Sequence, residues 1–132
     1  MSRQTYAPGL ADIETLARAA ILRLPELFRR HLEHVVLRIE EFPDETVVEE
    51  MELDSEFDIL GLYSGHSVAR SVEVSGALPD TVTLYRRPIL DVWAEGGDSL
   101  EHLVTHVLVH EVGHHFGLSD ADMDAIERSV AD

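Results

Sequence analysis

The run His110-Glu111-Val112-Gly113-His114-His115-Phe116-Gly117-Leu118-Ser119-Asp120 carries the strongest chemical signal in this 132-residue chain. On a helix, His110 and His114 stand one turn apart on the same face, so both imidazoles can reach one ion. Glu111 lies beside them, where a carboxylate can take a proton from water bound to that ion. Gly117 lets the chain leave the helix with positive φ. Asp120 can then swing back as a third, oxygen ligand. The chemistry these residues suit is hydrolysis by metal-activated water, with Glu111 as general base. The chain contains no Cys, so a zinc ion would have to sit on imidazole and carboxylate.

The third ligand has rivals. Ser119-Asp120 also reads as the N-cap of a last helix, and Asp122, Asp124 and Glu127 are nearby carboxylates. The offset after Gly117 favours Asp120. His102 and His106 extend the histidine row at a spacing of four. Residues at i, i+4 and i+8 drift about 80° around a helix, so His106 is expected to be solvated or hydrogen-bonded, apart from the ion held by His114. His115 points about 100° away from His114 and is expected to be structural or to support a ligand. Tyr63, Tyr85 and His66 could polarise a carbonyl oxygen, although ordinary packing explains each of them.

The elements that must position these groups follow from periodicity. Leu10, Ile13, Ala17, Ala20 and Leu24 have the spacing of an amphipathic helix, which Pro25 interrupts and restarts through Leu27, Phe28 and Leu32. Val35-Val36-Leu37-Arg38-Ile39 predicts a first strand. Pro43-Asp44 opens a short acidic helix to about Leu53. Residues 59–64 predict a second strand, 65–80 a loop or irregular hairpin around Val72-Glu73-Val74, and 81–86 a third strand. A short helical turn follows Pro88 and breaks at Gly96-Gly97. Asp98, with Glu101 three residues on, predicts the N-cap of a long helix to about Phe116. Along it Leu100, Leu103, Val107, His110 and His114 form one stripe, which places the histidines on the buried face against the sheet. Asp120 to Val130 predicts a short terminal helix.

Composition bounds the function classes. Length alone implies one domain, residues 1–132. The apolar fraction of 45% is that of an ordinary globular protein, whereas the net charge of −16 is far from ordinary. Such a surface repels nucleic acid and anionic membranes and attracts cations. Met1-Ser2-Arg3-Gln4-Thr5-Tyr6 lacks the apolar core of a signal peptide, and no apolar run approaches a membrane span. The expectation is a soluble, cytoplasmic protein, a monomer or weak oligomer, with neither nucleic acid nor membrane as partner.

The motif HEVGHHFGLSD resembles that of the small bacterial zincin-like metallopeptidases, minimal one-domain proteins carrying H-E-x-x-H-x-x-G-x-x-D. Ile59-Leu60-Gly61-Leu62-Tyr63-Ser64-Gly65 resembles the family's L-G-L-Y-x-G segment. Leu78-Pro79-Asp80 to Tyr85-Arg86 resembles its L-P-D strand, and the final Asp-Ala-Asp-Met-Asp-Ala-Ile-Glu its acidic tail helix. The likeness runs from about residue 30 to the end. After the N-terminal helical segment over 1–33 that periodicity predicts, it implies an α+β fold: a small mixed sheet packed on the motif helix, a metal-site helix and turn over 98–120, and a short C-terminal helix. It also implies Zn²⁺ on His110, His114 and Asp120, Glu111 as base, and a peptide or protein substrate. The strand at 81–86 would be an edge along the cleft, open to an extended peptide. The Gly and third-ligand spacing is also similar to that of metzincins, but a metzincin carries a Met-turn well past its third ligand, often with a Tyr nearby. Here Met123 follows Asp120 by three residues, no Tyr follows the motif, and twelve residues remain after Asp120. The reading is therefore a zinc metallopeptidase; the alternative is a zincin-fold metal-binding protein with weak or no proteolytic activity, serving as a peptide- or protein-binding module.

Overall fold

The computed structural model describes residues 7–65 and 79–130. His66 and the hairpin expected around Val72-Glu73-Val74 lie outside the described residues. Helix α1 spans Leu10–Arg23 and buries Ile13, Ala17 and Ala20. It stops where Pro25 requires an extended residue before it: Leu24 has φ −70° and ψ 152°. The short α2, Glu26–His31, buries Phe28, and β1 follows at Val35–Glu40. Asp44 caps α3 by accepting the Val47 N–H at 2.9 Å. That helix covers only Glu45–Glu50, ending short of the expected Leu53, and Glu52 then turns the chain with φ 54°.

Strand β2 is Gly61–Ser64 and β3 is Asp80–Tyr85. The sheet order is β1-β3-β2, with β3 parallel to β1 and antiparallel to β2. This mixed sheet corrects one expectation. The strand at 81–86 is the centre of the sheet, not an edge, and β2 is the edge strand beside the motif helix. The burial of Val82, Thr83, Leu84 and Tyr85 explains the difference, since a strand covered on both faces reads as unbroken β-branched and apolar sequence.

Tyr85 leads directly into α4, Arg86–Ala94, so the helix begins before Pro88 rather than after it. Proline sits in its first turn, where no intrahelical N–H is lost. Arg86 ties this corner down, donating to the Pro8 carbonyl at 2.6 Å and to Glu41 at 2.8 Å. Gly96 and Gly97, at φ 89° and 110°, break the chain before the long α5, Leu100–His115. Ser99 is its N-cap, accepting the His102 N–H at 3.0 Å. The expected cap, Asp98, instead meets the His102 ring nitrogen Nδ1 at 2.9 Å.

Helix α5 is the axis of the core. Val104, Leu108, Val109 and Val112 are buried in addition to Leu103 and Val107. Val82 and Leu84, two apart on one face of β3, meet this helix in two clusters shared with α1. The expected single stripe is therefore too narrow, because α5 is enclosed by α1, the sheet and the last helix. That last helix, α6, is Asp120–Val130 and buries Met123 and Glu127. No helix among the described residues is long and apolar enough to cross a membrane.

Candidate metal centre

The enclosure of α5 ends at Gly113, and the motif residues rise from it in order. The His110 side chain is 20% exposed and that of His114 is 61% exposed. The pair therefore sits at the mouth of the core instead of continuing its buried face. Their rings lie 5.8 Å apart, nearly perpendicular.

After His115 the helix closes with paired bonds, Leu118 N–H to the Gly113 carbonyl at 2.9 Å and Gly117 N–H to that of His114 at 3.1 Å. Gly117 has φ 77°, the left-handed conformation this closure needs. The turn delivers Ser119, which accepts the Asp122 N–H at 3.0 Å while its own N–H donates to Asp122 at 3.2 Å. Ser119 and Asp122 thus make the cap of α6. Asp120 is left outside it, with an 87% exposed side chain and Oδ1 4.0 Å from His114 Nε2.

One nitrogen each of His110 and His114 and one Asp120 oxygen lie within 4.8 Å of one another. Donors around a tetrahedral zinc stand about 3.3 Å apart, given zinc–nitrogen and zinc–oxygen bonds of about 2.0–2.1 Å. Two of the three side chains are exposed, so small rotations close that gap. The donor set, two imidazoles and a carboxylate, fits the ion the sequence motif implies.

Glu111 faces the sheet. Burial pushes its carboxyl above the usual carboxylate range, while the charge of His114 and the Tyr63 backbone N–H pull it part of the way back. Gly61, on the same edge strand, is required by that proximity. A Cβ there would lie 2.8 Å from Val107 Cγ1, 3.2 Å from the Thr83 carbonyl oxygen and 3.3 Å from Glu111 Cγ. Tyr63 stacks on His115 at 3.8 Å. Its hydroxyl donates to Asp80 Oδ2 at 2.7 Å, and burial, with Asp80 next, raises its pKa. Tyr85 is buried and pushed up to about 12 by burial and then by Glu40, Asp44 and Glu111. Tyr63 and His115 therefore serve as packing that braces the edge strand against the end of α5.

Sequence reasoning missed one arrangement. Glu127, named only as a rival third ligand, is turned towards α5. Its carboxylate lies 2.9 and 3.1 Å from His106 Nδ1 and 2.8 Å from His110 Nε2. His106 is hydrogen-bonded, as expected, but its partner is the carboxylate that also holds the first motif histidine. A signal existed in the sequence. Met123 and Glu127 stand one turn apart on the same side of a short amphipathic helix, and an acid on an apolar face requires a partner.

The family model described as zincin-like metallopeptidase matches residues 32–130. Among solved structures, the chain is similar to a conserved hypothetical protein from Thermo thermophilus. The two share 24% identity with a TM-score of 0.57, over 82% of this chain and 94% of that one. That likeness supports the fold alone. No curated protein matches the chain.

Proposed function

The chain belongs to the zincin-like metallopeptidase family, and from that premise we propose that it is a zinc-dependent peptidase with Glu111 as its general base. His110, His114 and Asp120 hold the ion in this reading. The observation that carries it is the convergence of those three donors within 4.8 Å, beside a carboxyl that burial has raised. When bound there, zinc supplies a water acidic enough to attack an amide carbonyl near neutral pH.

Glu111 does the proton work. A carboxylate raised above its usual range is a better base near neutral pH than a solvated one. The Tyr63 N–H keeps one side of it fixed. It takes the proton from the attacking water and passes it to the departing amine. Strand β2 lies alongside, and among the described residues β3 is its one strand partner. An extended peptide adding to the other edge of β2 would run past Glu111.

Glu111→Gln tests the reading. The variant should retain zinc and lose hydrolysis of unstructured peptides by about 10²–10⁴-fold, the usual worth of a general base. Zinc retained with undiminished turnover would sink this mechanism. A second reading, a metal-holding peptide-binding module, is favoured by the exposure of His114 and Asp120. Stoichiometric zinc, peptide binding and no turnover across broad peptide libraries would select it.

A further inference from the structure

We propose that His106, His110 and Glu127 form a second divalent-cation site, overlapping the motif site at His110 and excluding it. The competition, though not the binding itself, rests on the reading of the motif trio given above.

The geometry is that of a set already assembled. One donor atom from each of the three residues lies within 4.8 Å of the others. The observed nitrogen–oxygen separations are 2.8–3.1 Å. Donors around a tetrahedral zinc lie about 3.3 Å apart, so an ion needs each nitrogen–oxygen pair to open by a few tenths of an ångström. The motif trio must instead contract. The His106 and His110 rings are neighbours on one helix face, with centroids 4.1 Å apart. Glu127 comes from α6 and is largely buried, with a 10% exposed side chain. α6 is held there by the approach of Met123 to Gly113, where a Cβ would lie 2.5 Å from the sulfur. The half-exposed His106 leaves the ion an entry from solvent.

Two imidazoles and one carboxylate select a late first-row cation such as zinc over magnesium or calcium, which favour all-oxygen sites. The net charge of −16 favours any cation at this surface. Exclusion follows from the chemistry of imidazole. A neutral ring has one N–H and one lone pair, so His110 can serve one ion at a time. A chain with two trios therefore holds one zinc, partitioned between them.

Zinc titration of the full chain against a chromogenic chelator reads this without any assay of turnover. His114→Ala with Asp120→Ala removes the motif set at two exposed positions and should still bind one equivalent. Adding His106→Ala to that pair should weaken binding by at least about 100-fold, more than the loss of a supporting contact costs. The wild-type chain should take one equivalent, not two. No binding by the double variant, or binding that ignores His106→Ala, overturns the site, and two equivalents in the wild type overturn the exclusion. Far-ultraviolet circular dichroism confirms that each variant is folded. If His106→Ala alone abolished zinc binding by the intact chain, the motif reading would fail while the proposed site stood. Absence of peptide hydrolysis would touch only the proposed function.

Discussion

The two trios that share His110 differ in how much of their order is made before any ion arrives. Around Glu127 the polar atoms lie at hydrogen-bonding distance and the carboxylate is largely buried. Around Asp120 the carboxylate is almost fully exposed, and its approach to His114 is 4.0 Å. A buried carboxylate survives only if its desolvation is offset by partners. Glu127 must therefore be part of the folding free energy. Asp120 has no such requirement, and its side chain keeps the rotamer freedom a ligand can give up on binding. The ordered trio and the open one meet at a single histidine, His110.

The largest effects should come from the ordered trio. Glu127→Ala removes charge-assisted hydrogen bonds to two histidines and should lower unfolding free energy by about 2–3 kcal/mol in urea titrations with chelator present. Glu127→Gln keeps the volume and an acceptor oxygen, so it should cost about half as much. If Glu127→Ala unfolds at the wild-type midpoint, the contrast between the trios breaks. Gly113→Ala tests the same order from the packing side. The added methyl meets fully buried Met123 and should wedge α6 away from α5, at a cost of about 1–3 kcal/mol.

These contrasts also explain what the sequence made legible. His110, Glu111, His114 and Asp120 are near neighbours in the chain, so helical geometry and one positive-φ glycine suffice to place them together. The helices around Ile13 and Phe28, the strand at 35–39 and the terminal helix follow from local pattern in the same way. The edge strand did not. Whether 81–86 or 61–64 forms the edge of the sheet depends on pairing between strands, which no local pattern encodes. The partner of Glu127 was hidden for a related reason, because it depends on how closely α6 meets α5. That approach is set by the missing side chain at Gly113. The cap at Ser99 rather than Asp98 is a shift of one residue, decided by which side chain reaches the His102 N–H.

A smaller effect sharpens the role of the site between the trios. Burial raises Glu111 above its unfolded value. The group therefore contributes stability that is fully present below the ordinary carboxylate range and is lost as pH rises through the raised folded value. Above that raised value the metal-free wild type carries the cost of a half-buried anion, and a neutral glutamine does not. Glu111→Gln should then melt above the wild type there in chelator, with the gap closing as pH falls through the raised folded value and gone below about 4. Melting curves of the two proteins across that range check the sign. A glutamine variant that melts lower throughout would mean the carboxylate is held by its contacts more strongly than burial opposes it.

The smallest effect is expected at Asp120, and its smallness is informative. Ser119 and Asp122 exchange both cap hydrogen bonds of α6, so the helix end is satisfied without Asp120. What Asp120 gives the metal-free fold is a negative charge in the first turn of α6, worth a few tenths of a kcal/mol at an exposed position. Asp120→Ala should therefore shift unfolding free energy by less than about 0.5 kcal/mol in chelator, as surface substitutions do. Measured beside Glu127→Ala in the same urea titration, it gives the free-energy gap between a carboxylate built into the fold and one left available to an ion. A loss above about 1.5 kcal/mol at Asp120 would exceed what the helix end can explain. Asp120 would then belong to the fold's own network, and the distinction between the two carboxylates would fail at its exposed end.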